Sequence, residues 1–317
     1  MKIVIVGAGP IGCYTGQLLK RKGYNPVLLE EHDQIGRPVK CAGIVGKEVF
    51  EKSKLTLSQN SIINKIDGAH IFYQKHHFSI HRPHVAYIIN RTQFDQNLSE
   101  GLDIRYQFHA HEFQKKNGRY LIHNKEKKTL EADILIGADG PDSKVRTFLQ
   151  QQCQQKTISY PSYYYGYQYR VDISKSGGFI NNKLVQVHFH PDLPFFFWVI
   201  PESKQIIRLG IIGEQVKKKL QQFMSEKNIC GEIIDTIAGK IPIGHISTVA
   251  KDIALVGDAA CQIKPLTGGG IFYGLQSAEI LVDCIVNQTI SQYDLKWKQK
   301  RGKEIRFGLI ARKIYES

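Results

Sequence analysis

The sequence predicts an α/β protein in which a parallel-sheet domain, built from three separate stretches of chain, is combined with an antiparallel-sheet domain and C-terminal helices. Residues 2–30 read as a strand, a glycine-rich turn, a helix and a second strand. The apolar runs 132–137 and 253–256 are continuous, as strands buried in a parallel sheet are. Residues 62–79 and 163–212 instead alternate polar and apolar side chains, which indicates an antiparallel sheet.

The length of 317 residues favours two intertwined domains that share one large site. We expect a discontinuous cofactor domain at 1–60, 85–158 and 241–290, a substrate domain at 61–84 and 159–240, and a basic amphipathic segment of one or two helices at 291–317. Other helices are predicted near 90–98 and 270–287. No apolar run reaches the roughly 18 residues of a membrane-spanning helix. The six cysteines lack CxxC spacing, which favours a reducing, cytoplasmic setting.

The first strand and helix enclose the turn Gly7-Ala-Gly9-Pro-Ile-Gly12. In this spacing the first glycine allows a tight turn, the second admits a pyrophosphate, and the third lets the helix pack closely on the strand. Glu30 ends the second strand, where a carboxylate can accept hydrogens from both ribose hydroxyls. We therefore predict that the turn binds a dinucleotide, because a glycine turn without a ligand would leave Glu30 unexplained.

Two later turns also follow buried strands. They are Gly137-Ala-Asp139-Gly140 and Gly257-Asp258-Ala-Ala. These turns resemble the second and third fingerprints of flavoprotein hydroxylases and their relatives, in which the last Asp contacts the ribityl chain. All three turns together resemble the glutathione-reductase-type, p-hydroxybenzoate hydroxylase-like FAD fold. The resemblance implies FAD bound through Gly7, Gly9, Gly12, Glu30, Asp139, Gly140, Gly257 and Asp258.

The third turn leads into Pro265-Leu-Thr-Gly268-Gly269-Gly270, which feeds a predicted helix N-terminus. The helix dipole and the free N–H groups there could stabilise negative charge on a reduced flavin. We therefore predict a catalytic role for Gly268 and Gly269, and cofactor contacts for Gly269 and Gly270.

Three segments, 36–43, 194–201 and 257–270, are similar to the geranylgeranyl reductase family, which includes archaeal lipid-saturating enzymes. The likeness covers nearly the whole chain. It implies an FAD-dependent reductase that hydrogenates carbon–carbon double bonds of geranylgeranyl chains, in archaeal-type ether lipids or geranylgeranyl diphosphate, by hydride transfer from N5 of reduced flavin. The external reductant would be NAD(P)H or a ferredoxin-like protein.

The resemblance places Cys41 beside both the flavin and the reacting double bond. A thiol there could protonate the carbon opposite the hydride, or hold the isoprenoid in place. The alternative is a small buried cysteine without a chemical role. Arg91 and Arg37 are expected near the cofactor, and for Arg91 the alternative is a solvated arginine at a helix terminus.

The same family lines its lipid cavity with a P-x-x-Y-x-W-x-F-P segment. Trp198 and Pro201 match it here, whereas Phe196 and Ile200 replace the Tyr and Phe. We expect Phe196, Trp198 and Pro201 to bind substrate, with a sheet core as the alternative. Tyr165, from a tyrosine-rich stretch, is added to the substrate-binding set, although packing is the alternative for this stretch as well.

Other functions remain open from the motifs alone. An aromatic flavin monooxygenase would share all three FAD fingerprints. An electron-transfer flavoprotein that reduces a membrane quinone would need an iron–sulfur ligand set, and the required cysteine spacing is missing. A non-catalytic FAD-binding protein is the remaining alternative.

The net charge of the chain indicates which kinds of partner it could bind. Lys and Arg number 43 against 29 Asp and Glu, a formal net charge of +14, and the stretch 295–317 mixes basic with apolar residues. We expect a phosphate-bearing isoprenoid substrate, peripheral contact with an anionic membrane, a monomer and no nucleic-acid partner. The alternative for the net charge is a general basic bias of the host's proteins. The alternative for the stretch 295–317 is a terminal helix that packs on the protein and exposes its basic face. The histidines within 70–84 lack companion ligands, so no metal is expected.

Overall fold

The computed structural model describes residues 1–152, 161–175, 181–191 and 193–316. Its strands are β1 Ile3–Val6, β2 Val27–Leu29, β3 Ile44–Gly46, β4 Ile62–Tyr73, β5 His76–Ile89, β6 Asp103–Arg105, β7 Ala110–Lys116, β8 Arg119–Asn124, β9 Thr129–Ala132, β10 Ile134–Gly137, β11 Ser162–Asp172, β12 Leu184–Phe189, β13 Phe196–Pro201, β14 Ile206–Ile212, β15 Glu232–Ile243, β16 Val249–Ala250 and β17 Ile253–Leu255. Its helices are α1 Pro10–Arg21, α2 Glu48–Glu51, α3 Arg91–Ser99, α4 Lys144–Gln152, α5 Val216–Glu226, α6 Ile271–Val286 and α7 Tyr293–Glu316.

A six-stranded sheet has the order β16-β17-β10-β1-β2-β6. All neighbours are parallel except β16 and β17. Alternate residues of β1 point to opposite faces: Ile3 and Ile5 pack with α1, α3 and α6, whereas Val4 and Val6 pack with α4 and with the small sheet β7-β8-β9. The predicted parallel sheet, built from three separate stretches of chain, is therefore confirmed.

An eight-stranded sheet has the order β15-β11-β14-β13-β12-β4-β5-β3. The hairpin β4–β5 and the pairs among β11, β13, β14 and β15 are antiparallel, as the alternating pattern predicts. β12 pairs in parallel with β4, a long-range pairing that the alternation does not reveal. One face of this sheet is covered by α5, and the other face turns towards the parallel-sheet domain.

Two of the predicted domain limits fall inside strands. The limit between residues 84 and 85 lies within β5, and the limit between 240 and 241 lies within β15. β3, assigned to the cofactor domain, pairs with β5 at the edge of the eight-stranded sheet. The division into domains stays a prediction, and its limit near 158–159 lies outside the described residues.

The C-terminal stretch is one 24-residue helix, α7. Trp297 and Ile305 are buried against Tyr273 of α6. Arg312 is buried as well, and its guanidinium donates to the carbonyl oxygens of Pro265 and Pro194 at 2.8 and 2.9 Å. The helix therefore fastens the glycine-rich turn to the second sheet. Among the described residues, none of the helices has the length and apolar character needed to cross a membrane.

Candidate active site

A cavity of about 860 Å³ lies between the two large sheets and is lined by residues of both. Most of the predicted site residues line it: Gly7, Gly9, Glu30, Arg37, Cys41, Arg91, Asp139, Gly140, Phe196, Trp198, Asp258, Gly268, Gly269 and Gly270. Gly12, Gly257, Pro201 and Tyr165 do not line it. The structure thus brings residues from distant parts of the sequence to one chamber.

The first turn is held tightly against the second. Gly7 has φ +97°, and a Cβ there would lie 2.3 Å from the carbonyl oxygen of Ala138. A Cβ on Gly12 would lie 2.0 Å from the carbonyl oxygen of Gly7, so Gly12 serves close packing. At Gly9 a Cβ would meet no atom within 4 Å, so the space in front of the α1 N-terminus is open. No acidic residue occupies the first turn of α1, which suits a bound pyrophosphate.

Glu30 is placed at the carboxyl end of β2 and is 8 % exposed. Its Oε2 accepts a hydrogen bond from the backbone N–H of Ala8 at 3.0 Å, which ties the carboxylate to the glycine turn. Its Oε1 lies 2.5 Å from Nδ1 of His32. These contacts fix the carboxylate at the cavity wall, which Glu30 lines and where a ribose could meet it. These features fit an adenine dinucleotide.

Asp139 has a different environment from the one its motif implies. Its Oδ1 accepts from the Ser143 hydroxyl at 2.5 Å, and its Oδ2 accepts from the backbone N–H groups of Lys144 and Val145 at 2.8 and 3.2 Å. Burial raises the pKa of Asp139, and these hydrogen bonds oppose that rise. The carboxylate thus fixes the start of α4, and its predicted contact with the cofactor stays a prediction.

Asp258 lies in the third turn and packs against the residue that precedes α6. A Cβ on Gly270 would lie 2.9 Å from its Oδ1, so the turn packs directly on the carboxylate. Burial raises the pKa of Asp258 to about 6, against the opposing charges of Arg91 and Arg146. Arg146 was not predicted from the sequence; its guanidinium donates to the carbonyl oxygen of Ala259 at 3.1 Å and so braces this turn.

Gly270 is the N-cap residue of α6, and no side chain caps this helix. The turn before it is closed by the N–H of Lys264, which donates to the carbonyl oxygen of Gly269 at 3.0 Å. The first turn of α6 contains no acidic residue and no side chain caps it, and Gly269, Gly270 and Ile271 at its start line the cavity. Gly268, Gly269 and Gly270 thus lie at the cavity and lead into the start of α6, and their role in stabilising negative charge stays a prediction.

Arg91 begins α3 behind the N-cap Asn90, and it forms an ion pair with Asp95 at 3.0 Å. Burial alone would lower the pKa of Arg91, but Asp95 and the neighbouring Cys41 side chain together raise it above its ordinary value. Burial also raises the pKa of Asp95, against the charge of Arg91. Asp95 was not singled out from the sequence, although its position four residues after Arg91 on a helix is a recognisable signal.

A buried ion network supports the loop that carries Cys41. Glu202 accepts from Nε of Arg208 at 2.9 Å and from Nε of Arg170 at 2.9 Å. Arg208 then donates to the carbonyl oxygen of Ala42 at 3.0 Å and to that of Ile89 at 3.2 Å. One guanidinium therefore holds the residue after Cys41 and the end of β5, which leads into Arg91. The sequence signal was a charge inside the apolar run of β14.

The apolar wall of the cavity is formed by the cavity-facing side of the second sheet. Phe196 and Trp198 line it, and the indole N–H of Trp198 donates to Oε1 of Gln168 at 2.8 Å. Pro201 lies at the end of β13, where its carbonyl oxygen accepts from Asn64, outside the cavity lining. Tyr165 is 56 % exposed and also lies outside it.

In the part of the chain that the structure describes, His, Cys, Asp and Glu side chains do not gather in groups of three or more that could hold a metal ion. The histidines within 70–84 lie on the hairpin β4–β5, where Ser79 Oγ lies 2.6 Å from Nδ1 of His70.

Comparisons with known proteins agree with this geometry. Residues 93–287 match the FAD binding domain family, and residues 5–51 match the NAD(P)-binding Rossmann-like domain family. The chain is 31% identical to an uncharacterised protein of Methanocaldococcus jannaschii, over 99% of this chain and 84% of the relative. It is 28% identical to digeranylgeranylglycerophospholipid reductase 1 of Methanococcoides burtonii, with the same two coverages of 99% and 84%.

Among solved structures, the chain resembles a geranylgeranyl bacteriochlorophyll reductase-like protein of Thermoplasma acidophilum. The TM-score is 0.83 at 21% sequence identity, and the match covers 99% of this chain and 87% of that one. This likeness concerns the fold, and it confirms the predicted α/β architecture.

Proposed function

This chain belongs to the FAD binding domain family, and from that premise we propose that it is an FAD-dependent reductase of geranylgeranyl chains. It hydrogenates their carbon–carbon double bonds in isoprenoid ether lipids or in geranylgeranyl diphosphate. The observation that carries the proposal is that the dinucleotide turns, the Cys41 loop and an apolar wall meet in one cavity. An apolar chamber joined to a flavin site suits a reaction between reduced flavin and a hydrocarbon chain.

The turns that contain Gly7, Gly9 and Asp258 would hold FAD, and Glu30 would accept hydrogens from its ribose hydroxyls. When bound and reduced, FAD supplies the hydride for the double bond. The α6 N-terminus would stabilise negative charge on a reduced cofactor through its free N–H groups, since no side chain caps them. The exposed Arg37 lines the same cavity and is proposed to contact the cofactor as well.

Cys41 donates the proton that completes the addition. The thiol lies beside the buried Arg91, whose pKa is raised, so a full positive charge faces the sulfur throughout the reaction. That charge stabilises the thiolate that remains after the proton has left. Asp95 holds the guanidinium in place through its ion pair. The chain of the substrate lies against Phe196 and Trp198, which exclude water from the reacting carbons.

The experiment follows an anaerobic half-reaction. The purified protein is reduced with dithionite, geranylgeranyl lipid or diphosphate is added, and flavin reoxidation is recorded together with the mass of the prenyl chain. The proposal predicts two hydrogens gained per double bond as flavin is reoxidised. Flavin that stays reduced until oxygen enters, with an oxygen atom then found on an aromatic compound, would establish a monooxygenase instead.

Variants of Cys41, with Cys230 as the control, show whether the Cys41 thiol donates the proton or only holds the chain. Cys41→Ala and Cys41→Ser should both slow reoxidation by about 10²- to 10⁴-fold if Cys41 is the proton donor, because neither side chain can supply the proton at neutral pH. If Cys41 only holds the chain, the serine variant keeps most of the rate. Cys230→Ala, at an exposed free cysteine, is the matched control and should react like the wild-type protein.

The reductant of the flavin is NAD(P)H or a ferredoxin-like protein. The match to NAD(P)-binding domains covers the same glycine turn that we assign to FAD, so a nicotinamide cofactor would bind transiently elsewhere. Anaerobic bleaching of the flavin by NADPH, by NADH or by reduced ferredoxin, recorded side by side, identifies the donor.

The outer face of α7 supports peripheral contact with an anionic membrane. Phe307, Ile310 and Ile314 follow one another at helical spacing and are 70 %, 53 % and 71 % exposed, on a helix rich in Lys and Arg. Cosedimentation with anionic vesicles should exceed that with neutral vesicles. The double variant Phe307→Ser with Ile314→Ser should lose it.

A further inference from the structure

An apolar row of side chains runs from the cavity wall to the exposed edge of the second sheet. Directly paired residues of neighbouring strands lie on the same face of a sheet. Trp198 of β13 pairs with Val187 of β12, and both line the cavity. Val187 also pairs with Ile71 of β4, which pairs with Phe78 of β5. The cavity-facing side of the sheet therefore continues outwards by three strand spacings, about 14 Å, to a side chain that is 57 % exposed.

The two neighbouring rows are apolar on these strands as well. Val185, another residue of the cavity wall, pairs with Ala69, which pairs with Ile80. Ile80 is 51 % exposed. In the third row Phe189 pairs with Tyr73, which is 46 % exposed. We define the apolar strip as the side chains that these rows place on β4 and β5: Ala69, Ile71, Tyr73, Phe78 and Ile80.

The strip ends on the outer strand of a hairpin that stands in solvent. Every residue from 76 to 84 of β5 is exposed. β3 pairs only with residues 86–88, so none of the described strands runs along the outer edge of this segment. The opposite face is polar, because His77, Ser79 and His81 alternate with the apolar side chains along the strand. An exposed apolar face of this kind is typical of a surface that binds a partner.

The ionised side chains around the strip are basic. Residues 68–94 contain no Asp or Glu, and Lys75 and Arg82 flank Phe78 and Ile80 in the sequence. Apolar side chains bordered by cations suit the surface of a bilayer with anionic lipids, since the headgroups attract the cations and the acyl boundary takes up the apolar groups. The chemistry of the strip therefore fits an anionic lipid surface.

Two observations oppose a second copy of this chain as the occupant. A symmetric dimer on the strip would bring Lys75 and Arg82 of both copies together, and each chain has a formal net charge of +14. Strand pairing along the outer edge is interrupted by Pro83, which has no N–H, and by His84, whose φ is +51°. The lipid surface meets neither obstacle.

The C-terminal end of α7 lies beside the strip. The hydroxyl of Tyr315 is 3.3 Å from the carbonyl oxygen of His190 and 3.4 Å from that of Phe195. His190 follows Phe189, the partner of Tyr73. One bilayer can therefore contact both the strip and α7, whose outer face we assign to the membrane, and stable attachment of a peripheral protein usually takes two such contacts.

The outer edge of β5 limits how deeply the hairpin lies in the bilayer. Backbone N–H and C=O groups without a strand partner are excluded from the hydrocarbon core, where water cannot satisfy them. The backbone of residues 76–84 therefore stays among the headgroups, and the side chains of Phe78 and Ile80 reach the acyl boundary.

We propose that the apolar strip lies on the surface of an anionic bilayer and is the path along which a prenyl chain passes from the bilayer into the cavity. The inference rests on the proposed function and adds to it the place where a membrane lipid enters. In the rows of Phe78 and Ile80 no polar side chain stands between the strip and the cavity wall. The prenyl chain thus exchanges one apolar surface for another and avoids exposure to water.

The first measurement places a fluorophore on the strip. Phe78→Trp keeps an aromatic side chain there, and Ile233→Trp is the matched control on β15, the opposite edge of the same sheet, where Ile233 is 44 % exposed beside Glu232. Vesicles of equal parts phosphatidylglycerol and phosphatidylcholine are added to each holoenzyme. Emission of Phe78→Trp should shift to the blue, and lipids brominated near the headgroup should quench it more than lipids brominated at the chain end. Emission of the control should stay unchanged.

The second measurement separates entry from chemistry in the anaerobic reoxidation assay. Phe78→Ser with Ile80→Ser should weaken binding to these vesicles by at least about tenfold, because two apolar side chains no longer leave water. Reduction of a geranylgeranyl ether lipid embedded in the vesicles should slow by a similar factor. Geranylgeranyl diphosphate added from solution does not need the strip, and should react at the wild-type rate. Ile233→Ser with Ile234→Ser, at two exposed isoleucines of β15, should match the wild-type protein with both substrates.

Unshifted emission of Phe78→Trp would overturn the inference. Equal slowing on vesicle lipid and on diphosphate by the double serine variant would also overturn it, since the strip would then act through the cavity, and so would a wild-type protein that reduces only the diphosphate. A wild-type dimer in vesicle-free sedimentation that the double serine variant lacks would assign the strip to a second copy. Failure of the proposed function looks different: wild-type protein would add hydrogen to neither substrate, while the blue shift of Phe78→Trp would remain.

Discussion

Replacing Glu202 by glutamine should destabilise the protein strongly, since the carboxylate lies between two guanidinium groups in the interior. It accepts from Arg170 through Nε and Nη2 at 2.9 and 2.5 Å, and from Nε of Arg208 at 2.9 Å. The side chains of Glu202 and Arg208 are 6 % and 10 % exposed, whereas that of Arg170 is 35 % exposed and partly screened. Breaking a buried pair costs about 3–5 kcal/mol, so we expect about 3 kcal/mol for Glu202→Gln.

The measurement is urea unfolding followed by circular dichroism, with Glu131→Gln as the control. Glu131 pairs with Arg119 at 3.1 Å, and both side chains are about half exposed, so that variant should lose no more than about 1 kcal/mol. Burial alone would raise the pKa of Glu202, but its two arginines lower it overall. The contribution of the carboxylate is therefore complete above about pH 4.3 and is lost as the pH falls through its folded pKa. Equal destabilisation by the two variants at pH 7 would refute the reasoning.

Three further predictions concern the loop that carries Cys41 and the candidate cofactor site. Gly43 has φ +75°, and a Cβ there would lie 1.7 Å from Nη1 of Arg208; Gly43→Ala should cost about 1–3 kcal/mol in thermal unfolding, and an unchanged melting temperature would contradict the described loop. Burial raises the pKa of Asp258 to about 6, so in cofactor-free protein its folded carboxyl keeps a proton that the unfolded chain releases near pH 3.9. Stability should therefore fall by up to about 3 kcal/mol as the pH rises from about 4 to about 6, and this part of the slope should be missing in Asp258→Asn. Glu30→Gln keeps one acceptor for the N–H of Ala8 but loses the charge, and should weaken FAD retention about tenfold in equilibrium dialysis; wild-type retention would remove Glu30 from the cofactor site.

Much of the fold could be predicted because its signals are local. The glycine turn at 7–12, the continuous apolar strand β10 and the alternating strands β4 and β11 each follow from a short stretch of sequence. The parallel pairing of β4 with β12 could not be predicted in this way, because residues more than a hundred positions apart form it. The predicted domain limits near 84 and 240 fall inside strands for the same reason, since periodicity marks an element but not its partner.

Sequence reasoning likewise found some residues of the candidate site and missed others. Motif spacing located Glu30 and Asp258, and the family resemblance pointed to Cys41; all three line the cavity. Spacing assigned Asp139 the same kind of role, yet the carboxylate oxygens of Asp139 are engaged by its own helix start, which spacing alone cannot reveal. Gln168 escaped notice because an isolated amide within a tyrosine-rich strand carries no pattern, and only the register opposite Gly210 shows what it faces.

Arg208 explains why such residues matter to the chemistry without belonging to any motif. A loop that must present a thiol to a cavity cannot pack its own backbone into a core, so its carbonyl groups need donors from elsewhere. Arg208 donates hydrogen bonds to the carbonyl oxygens of Ala42 and Ile89, and Glu202 neutralises the positive charge of its guanidinium. Because Ile89 leads into Arg91, the same guanidinium fixes both the thiol and the cation beside it. Substitutions that weaken the ion pairs of Glu202 should therefore slow proton donation by Cys41 more than they reduce retention of the dinucleotide, because the dinucleotide turns lie on the other sheet.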